Sequence, residues 1–241
     1  MMLNRKVNKG VILAAGDGSR LQSVTGIYPK VLLPVQGKPL IWYPIESMVA
    51  AGVRQIAVVV GYLAGEVRRA LGDGRRFGVR LEYILNRDYW GGNAISVSKV
   101  RAWAAGGPFV LCMGDHMIER EIASHLLQWS PIAETLCVDF APADRHDFAE
   151  ATKVVVDSSS YITHIGKELT YWDGLDTGVF LLTEKFLDAI DELFPRLGTD
   201  VEISDVIRLL ISRGHHFDTC DVSGCFWADV DTEEDLKRVT A

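Results

Sequence analysis

The sequence predicts an α/β protein: one domain on a mostly parallel, mixed sheet flanked by helices, with a smaller lobe in its second half. Three observations predict it. Strand-like and helix-like patterns alternate through the first half, the order that builds parallel sheets with helices on both faces. Strands such as Ile56-Ala-Val-Val-Val60 are apolar on both sides, as buried parallel strands are. The 241 residues contain no repeat, linker or low-complexity segment, which fits one large α/β domain.

In order, Val11–Ala15 is a short apolar strand that runs into glycine. A helical pattern follows near Leu40–Ala51, then a strand at Gln55–Val60, a helix at Ala64–Leu71 and a strand at Val79–Leu85. Asn93–Ala104 reads as a helix opened by Gly91-Gly92, and Phe109–Met113 as a buried strand. The second half is less regular. Glu134–Ala141, Thr152–Asp157, Tyr161–Ile165 and Thr177–Leu182 read as strands, with a turn at Asp157-Ser-Ser-Ser160. Helices at Thr183–Phe194 and Ile203–Arg213, a strand at His216–Val222, a closing strand from residue 226 and a helix from Thr232 finish the chain. The first half is placed at about 1–130, the smaller lobe at about 131–225 and the closing elements at 226–241.

A hydrophobic content of 48% and a charged content of 24% describe an ordinary globular protein. The formal charge of −7 argues against general nucleic-acid binding. An anionic ligand would need local cations to overcome that sign. The first ten residues are polar and basic, so no secretory leader is expected. No apolar run approaches the ~20 residues that cross a bilayer. Cys112, Cys137, Cys220 and Cys225 show no C-x-x-C pair and no zinc spacing. They read as thiols in a reducing cytoplasm; Cys220 and Cys225 pair only if they face each other. Scarce Asn and Gln, with Arg exceeding Lys, give a thermophile hint.

The richest stretch is Leu13-Ala-Ala-Gly-Asp-Gly-Ser-Arg-Leu21, followed by Pro29-Lys30 and Leu32-Leu33-Pro34-Val35. Glycine lets backbone N–H groups approach phosphate oxygens, and Arg20 and Lys30 add fixed positive charge. The turn lacks the third glycine of the dinucleotide fingerprint and the Gly-Lys-Ser/Thr ending of a Walker loop. A nucleotide site of another kind is indicated, with the backbone of Ala14, Ala15, Gly16 and Gly18 around it. A nicotinamide-dependent oxidoreductase is disfavoured for the same reason.

Asp115 in Met113-Gly-Asp-His116 stands at the carboxyl end of a buried strand, where an acid is placed to hold a hard cation such as Mg²⁺. His116 reads as a packing or substrate-side residue rather than a ligand. In Phe226-Trp-Ala-Asp-Val-Asp-Thr232, Asp231 stands where a helix begins, so capping is its simplest duty, and Asp229 is favoured as the second acid. Asn86, Gly92, Asn93 and Ser96 surround a helix start; glycines admit a flat base and amides read its edge. Plain capping by Asn93 stays open. No nucleophilic Ser, Cys or His constellation appears, so a route without a covalent intermediate is expected.

Leu13–Leu21 together with Pro29-Lys30-x-Leu-Leu-Pro-Val35 resembles the signature of the sugar-phosphate nucleotidyltransferases. The resemblance runs along nearly the whole chain. Within that family the sequence looks most like the CTP:inositol-1-phosphate cytidylyltransferase domain of archaeal bifunctional enzymes. The resemblance implies a Rossmann-like nucleotidyltransferase fold, with CTP and a phosphorylated polyol as substrates and Mg²⁺ on Asp115 and Asp229. It implies Arg20 against the departing pyrophosphate and Lys30 near the α-phosphate. Asn86, Gly92, Asn93 and Ser96, with Ala14-Ala15-Gly16, would contact the base. Lys167 matches the lysine that binds the acceptor's phosphate, with Glu150 and Asp176 in the same lobe. Sugar-nucleotide members usually carry Glu before that lysine; here it is Gly166, which puts an ordinary hexose phosphate in doubt. Lys153 reads as a solvated strand residue. Phosphocholine or a hexose 1-phosphate as acceptor, and a non-catalytic nucleotide-sugar sensor, stay as alternatives. The bifunctional likeness also implies a membrane CDP-alcohol transferase, fused or associated, and leaves a homodimer open.

Overall fold

The computed structural model describes residues 7–21, 26–129, 134–142 and 148–240. Residues 1–6, which carry much of the leader reading, lie outside them. Thirteen strands occur among the described residues: β1 (Lys9–Ala14), β2 (Pro34–Val35), β3 (Lys38–Pro39), β4 (Gln55–Val60), β5 (Arg80–Leu85), β6 (Phe109–Met113), β7 (His116–Ile118), β8 (Thr135–Asp139), β9 (Lys153–Val156), β10 (Ile162–Gly166), β11 (Gly174–Leu182), β12 (Asp218–Asp221) and β13 (Trp227–Asp229). Nine form one mixed sheet in the order β10-β9-β11-β6-β1-β4-β5, with β8 on β11 and β12 on β8.

The first half of the sheet is parallel. β1 lies between β4 and β6 and parallel to both, and β5 continues beyond β4. The chain therefore leaves β1 toward one edge and returns to β6 on the other side. Strand order reverses between β1 and β6, which opens a crevice beyond their carboxyl ends. In β1, Val11 and Leu13 join one hydrophobic core and Ile12 and Ala14 the other. β6 divides in the same way, Phe109 and Leu111 against Val110 and Cys112. Such strands must be apolar at every position, because successive side chains face opposite layers of helices.

The second half is antiparallel around β11, which pairs with β6, β8 and β9. β11 begins at Gly174, three residues before the predicted strand, and its long run links the two halves. β7 and β13 form a separate ladder in which Asp229 lies opposite His116. β7 has only three residues, too few for a periodic signal. The predicted helix Asn93–Ala104 is two helices, Asn93–Ser98 and Arg101–Ala104. Between them the backbone tightens to a Val100 N–H bond on the Val97 carbonyl, 3.2 Å. The helix predicted from Leu40 starts at Trp42, because Leu40 and Ile41 donate to Leu33 and Val31 instead. All four cysteines are free thiols, and Cys220 lies beside Cys137 rather than Cys225.

The start of helix Asn93–Ser98 is stitched to the start of helix Ile203–Ser212. Gly92 N donates to Thr199 O at 2.8 Å, and Ile203 N donates to Asn93 Oδ1 at 2.7 Å. A Cβ on Gly92 would overlap the Val201 carbonyl. Gly92→Ala should therefore lower stability by about 1–3 kcal/mol through forced overpacking. A urea denaturation midpoint equal to wild type would contradict this packing.

Candidate active site

The site is built on the turn after β1. Ser19 N donates to Asp17 Oδ1 at 3.0 Å, and Leu21 N closes the turn on Gly18 O at 2.9 Å. Gly18 has φ +62, and a Cβ there would stand 2.8 Å from Lys30 Cβ. Both the backbone shape and the close approach of Lys30 require glycine. Lys30 begins the short helical turn Lys30–Leu32, whose Val31 and Leu32 are buried in the core. That anchoring pulls the lysine stem inward and leaves its ammonium at the crevice.

Two acids meet it. Lys30 Nζ lies 2.6 Å from Asp115 Oδ2 and 2.5 Å from Asp231 Oδ1. Arg20 Nη2 lies 2.5 Å from the other oxygen, Asp231 Oδ2. Asp231 thus bridges the two cations. Asp115 is fixed by its neighbours: Gly114 N donates to Leu13 O at 2.8 Å, and Val230 N donates to Asp115 O at 3.2 Å. The second bond brings the 229–231 segment alongside. Asp115 Oδ1 pairs with His116 Nδ1 at 3.0 Å.

Capping falls to other residues. Thr232 Oγ1 accepts from Asp235 N at 3.2 Å, and Asp235 Oδ2 accepts from Thr232 N at 2.8 Å. This is a capping box one residue beyond Asp231. The reading of Asp231 as a cap is corrected: its carboxylate is left for Arg20 and Lys30. The Asp229 carboxylate makes no hydrogen bond or ion pair among the described residues.

Electrostatics follow from burial and neighbours. Burial opposes charge on Lys30, but the carboxylates of Asp115 and Asp231 more than reverse this and push it up to about 12. Burial likewise opposes ionisation of Asp115, yet Lys30 and His116 hold it well below the usual carboxylate range. His116 is disfavoured as a cation by burial and raised on balance by Asp115, Asp229 and Asp231. Asp229 is pushed up by burial; His116 opposes this, while Asp231, Asp235 and Asp115 add to it. A carboxylate crowded by carboxylates favours a bound cation.

A small cavity of about 210 Å³ is lined by Ala14, Gly16, Gly18, Arg20 and Lys30. It shares Arg20, Asp115 and Asp231 with a large cavity of about 1060 Å³. The large cavity is also lined by Glu150, Lys167, Glu168, Asp176 and Arg208. Arg20, Lys30, Asp115 and Asp229, spread over 210 residues of sequence, therefore meet at one crevice. Lys167 Nζ lies 3.6 Å from Glu150 Oε2. Asp176 Oδ1 accepts from Gly178 N at 2.7 Å, and its second oxygen has no partner among the described residues. Burial raises Asp176 to about 6 against the pull of the Gly178 N–H and His116.

Other predicted residues do different work. Asn86 is buried; its Nδ2 donates to Ser96 Oγ at 2.9 Å and its Oδ1 accepts from Asp88 N at 2.9 Å. Asn86, Ser96 and Gly92 line neither cavity. Asn93 lines the large one, but its Oδ1 caps Ile203 and not its own helix. Lys153 is not solvated. It is buried, and its Nζ donates to Lys167 O at 2.5 Å. Glu168 and Arg208 were missed by the sequence reading, whereas Asp231 was weighed there against Asp229 as the second acid and set aside as a cap.

Among the described residues, no three His, Cys, Asp or Glu side chains are grouped to hold a metal ion. Asp115 and Asp229 line one cavity and could together hold Mg²⁺, which takes one or two carboxylates and completes its shell with phosphate and water. No helix among the described residues is long and apolar enough to cross a membrane.

A crevice at a strand-order switch, a glycine-rich turn carrying two cations and facing acids define a nucleotide-handling α/β protein. Residues 9–241 match the nucleotidyl transferase family model, and the chain belongs to that family. It is 32% identical over 227 residues to the bifunctional IPC transferase and DIPP synthase of Rubrobacter xylanophilus, covering 94% of this chain and 50% of that protein. It is 31% identical over 245 residues to a glucose-1-phosphate thymidylyltransferase of Actinoplanes, covering 95% and 76%. The solved inositol-1-phosphate CTP transferase from T. maritima superposes with a TM-score of 0.86 at 26% identity, covering 97% of this chain and 95% of that one. The chain spans about half the length of the bifunctional relatives it matches.

Asp176 gives a pH test. Its ordinary value is 3.8 and its folded value about 6, so the protonated form favours folding. That stabilisation is complete below the ordinary value and is lost as pH rises through the folded one. Asp176→Asn should keep the Gly178 bond and escape the loss. Its Tm advantage over wild type should grow by about 2–4 °C or more from pH 4 to pH 6.5. A constant difference across that window would refute the shift.

Proposed function

We propose that this chain transfers a cytidylyl group from CTP to inositol 1-phosphate, giving CDP-inositol and pyrophosphate. The observation that carries the reading is the convergence of Arg20, Lys30, Asp115 and Asp229 on a crevice that opens into a large polar cavity. An oxygen of the acceptor phosphate attacks the α-phosphorus of CTP in line, and pyrophosphate leaves. A phosphate dianion is already nucleophilic, so the protein's work is positioning and charge neutralisation. Lys30 meets charge developing near the α-phosphate, and Arg20 the departing pyrophosphate. Asp115 and Asp229 hold Mg²⁺, which when bound neutralises and orients the triphosphate.

The acceptor assignment rests on the cavity wall and the relatives. Glu150, Thr152, Glu168 and Asp176 offer acceptors for hydroxyls, and Lys167 a cation for phosphate. The T. maritima and Rubrobacter likenesses favour CTP and inositol phosphate. A phosphocholine acceptor is disfavoured: Tyr171 bonds Asp173, Trp172 packs on Phe148, and neither lines the cavity. The Actinoplanes likeness supports a hexose 1-phosphate as the second reading. A CDP-alcohol transferase, fused or associated, is the proposed consumer of the product.

The deciding experiment is pyrophosphate release for each NTP against inositol 1-phosphate, glucose 1-phosphate and phosphocholine, with Mg²⁺. CTP with inositol 1-phosphate should be fastest, and EDTA should abolish the reaction. A preference for dTTP and glucose 1-phosphate would replace the reading. Lys30→Ala should lower kcat by about 100-fold or more while circular dichroism stays native. Near-wild-type turnover in that variant would remove Lys30 from the chemistry.

A further inference from the structure

We propose that Glu168 selects the acceptor by gripping its hydroxyls, and that residue 166 is glycine to make room for that carboxylate. This rests on the reading that the large cavity takes a phosphorylated acceptor. β10 ends at Gly166, and the Glu168 side chain folds back over it. A Cβ on Gly166 would stand 2.5 Å from Glu168 Oε2 and 2.6 Å from its Cδ. The backbone asks for no glycine at this position. Gly166 is a strand residue opposite Lys153, and its φ lies outside the left-handed region. What a Cβ there would meet is the end of the Glu168 side chain, which would have to leave its place.

The turn that carries Glu168 is held from two sides. Buried Lys153 reaches through to the Lys167 carbonyl at 2.5 Å. Arg208 Nη1 donates to Ile165 O at 2.7 Å and lies 3.8 Å from Glu168 Oε1, while its Nη2 is taken by Asp205 at 2.7 Å. Arg208 thus steadies the carboxylate without saturating it, and the Glu168 side chain, 73% exposed, is among those that line the cavity. An ionised carboxylate accepts and never donates, and its two oxygens suit a pair of neighbouring hydroxyls. Lys167 stands on the same wall for the phosphate. The substrate class is therefore a phosphate ester of a polyhydroxylated ring, and an acceptor without hydroxyls gains nothing from Glu168.

The test measures kcat and KM for inositol 1-phosphate, at saturating CTP, in Glu168→Gln, Gly166→Ala and the double variant. Glu168→Gln should raise the acceptor KM about tenfold or more, the scale of a hydrogen bond to a charged group. Gly166→Ala should do the same by displacing the carboxylate. The double variant should be no worse than the more impaired single variant, because both act through one group. The KM for CTP should stay within about twofold. An unchanged acceptor KM in either single variant, or additive effects in the double, would overturn the proposal. If wild type prefers glucose 1-phosphate, the inositol reading falls, and the same variants are scored on that acceptor with the same outcomes. If wild type releases pyrophosphate with no acceptor, calorimetric binding of inositol 1-phosphate to wild type and Glu168→Gln decides; equal affinities would overturn the role of Glu168.

Discussion

A buried ammonium cannot stand alone, and this constraint organises the crevice. Lys30 is 8% exposed, so its charge must be matched within the protein. The match comes from Asp115 and Asp231, which lie 85 and 201 residues away along the chain and reach it only through the sheet. Breaking such a pair leaves an uncompensated buried charge, which costs far more than an exposed ion pair contributes. The Lys30 knot therefore ties together the turn after β1, the end of β6 and the loop after β13. The Arg20 bridge is looser, since that side chain is more than half exposed.

The sheet supplies the placement. β1 and β6 are neighbours, so the turns that leave them face each other across the switch point. The small β7–β13 ladder then carries the last acids back to the same mouth, with Asp229 opposite His116. Beyond β6 the sheet turns antiparallel. β11 borders β6 with its later residues, β9 with its first two, and β8 along both stretches. One strand therefore carries Asp176 to the large cavity and buries Phe180 and Leu182 in the core beside β6.

The parallel half was legible because its signals are local. Val11–Ala15, Ile56–Val60 and Phe109–Met113 are uniformly apolar, and the motif residues follow strand ends. The structure gives the last two at their predicted bounds, Gln55–Val60 and Phe109–Met113, and the first as Lys9–Ala14, two residues earlier at its start and one at its end. The meeting of Arg20, Lys30, Asp115 and Asp229 was legible too, since each lies in its own recognisable stretch. What escaped depends on distant partners. Capping and ion pairing both suit an acid before a helix, and only the reach of Arg20 and Lys30 separates Asp231 from Thr232. Lys153 looks solvated in sequence, yet it is spent on a carbonyl 14 residues on. Asn86 and Ser96 satisfy one another in the interior, a pairing that no spacing rule announces.

The sign of the whole chain then makes sense beside its ligand class. A protein of formal charge −7 repels polyanions at long range, so phosphate recognition has to be local. Before any phosphate arrives, Arg20 and Lys30 already rest on carboxylate oxygens. On the proposed reading, an entering phosphate would exchange one set of oxygens for another around two cations already aimed, of which Lys30 is already desolvated. Little reorganisation is then left for the moment of reaction, which is the condition for electrostatic stabilisation to be effective. The acids that neutralise the cations stand at the same mouth as Asp229, whose carboxyl is driven up by burial and by its anionic neighbours. Cations held by acids on one side, and an acid short of cations on the other, fit a ligand that brings phosphate and a divalent ion together.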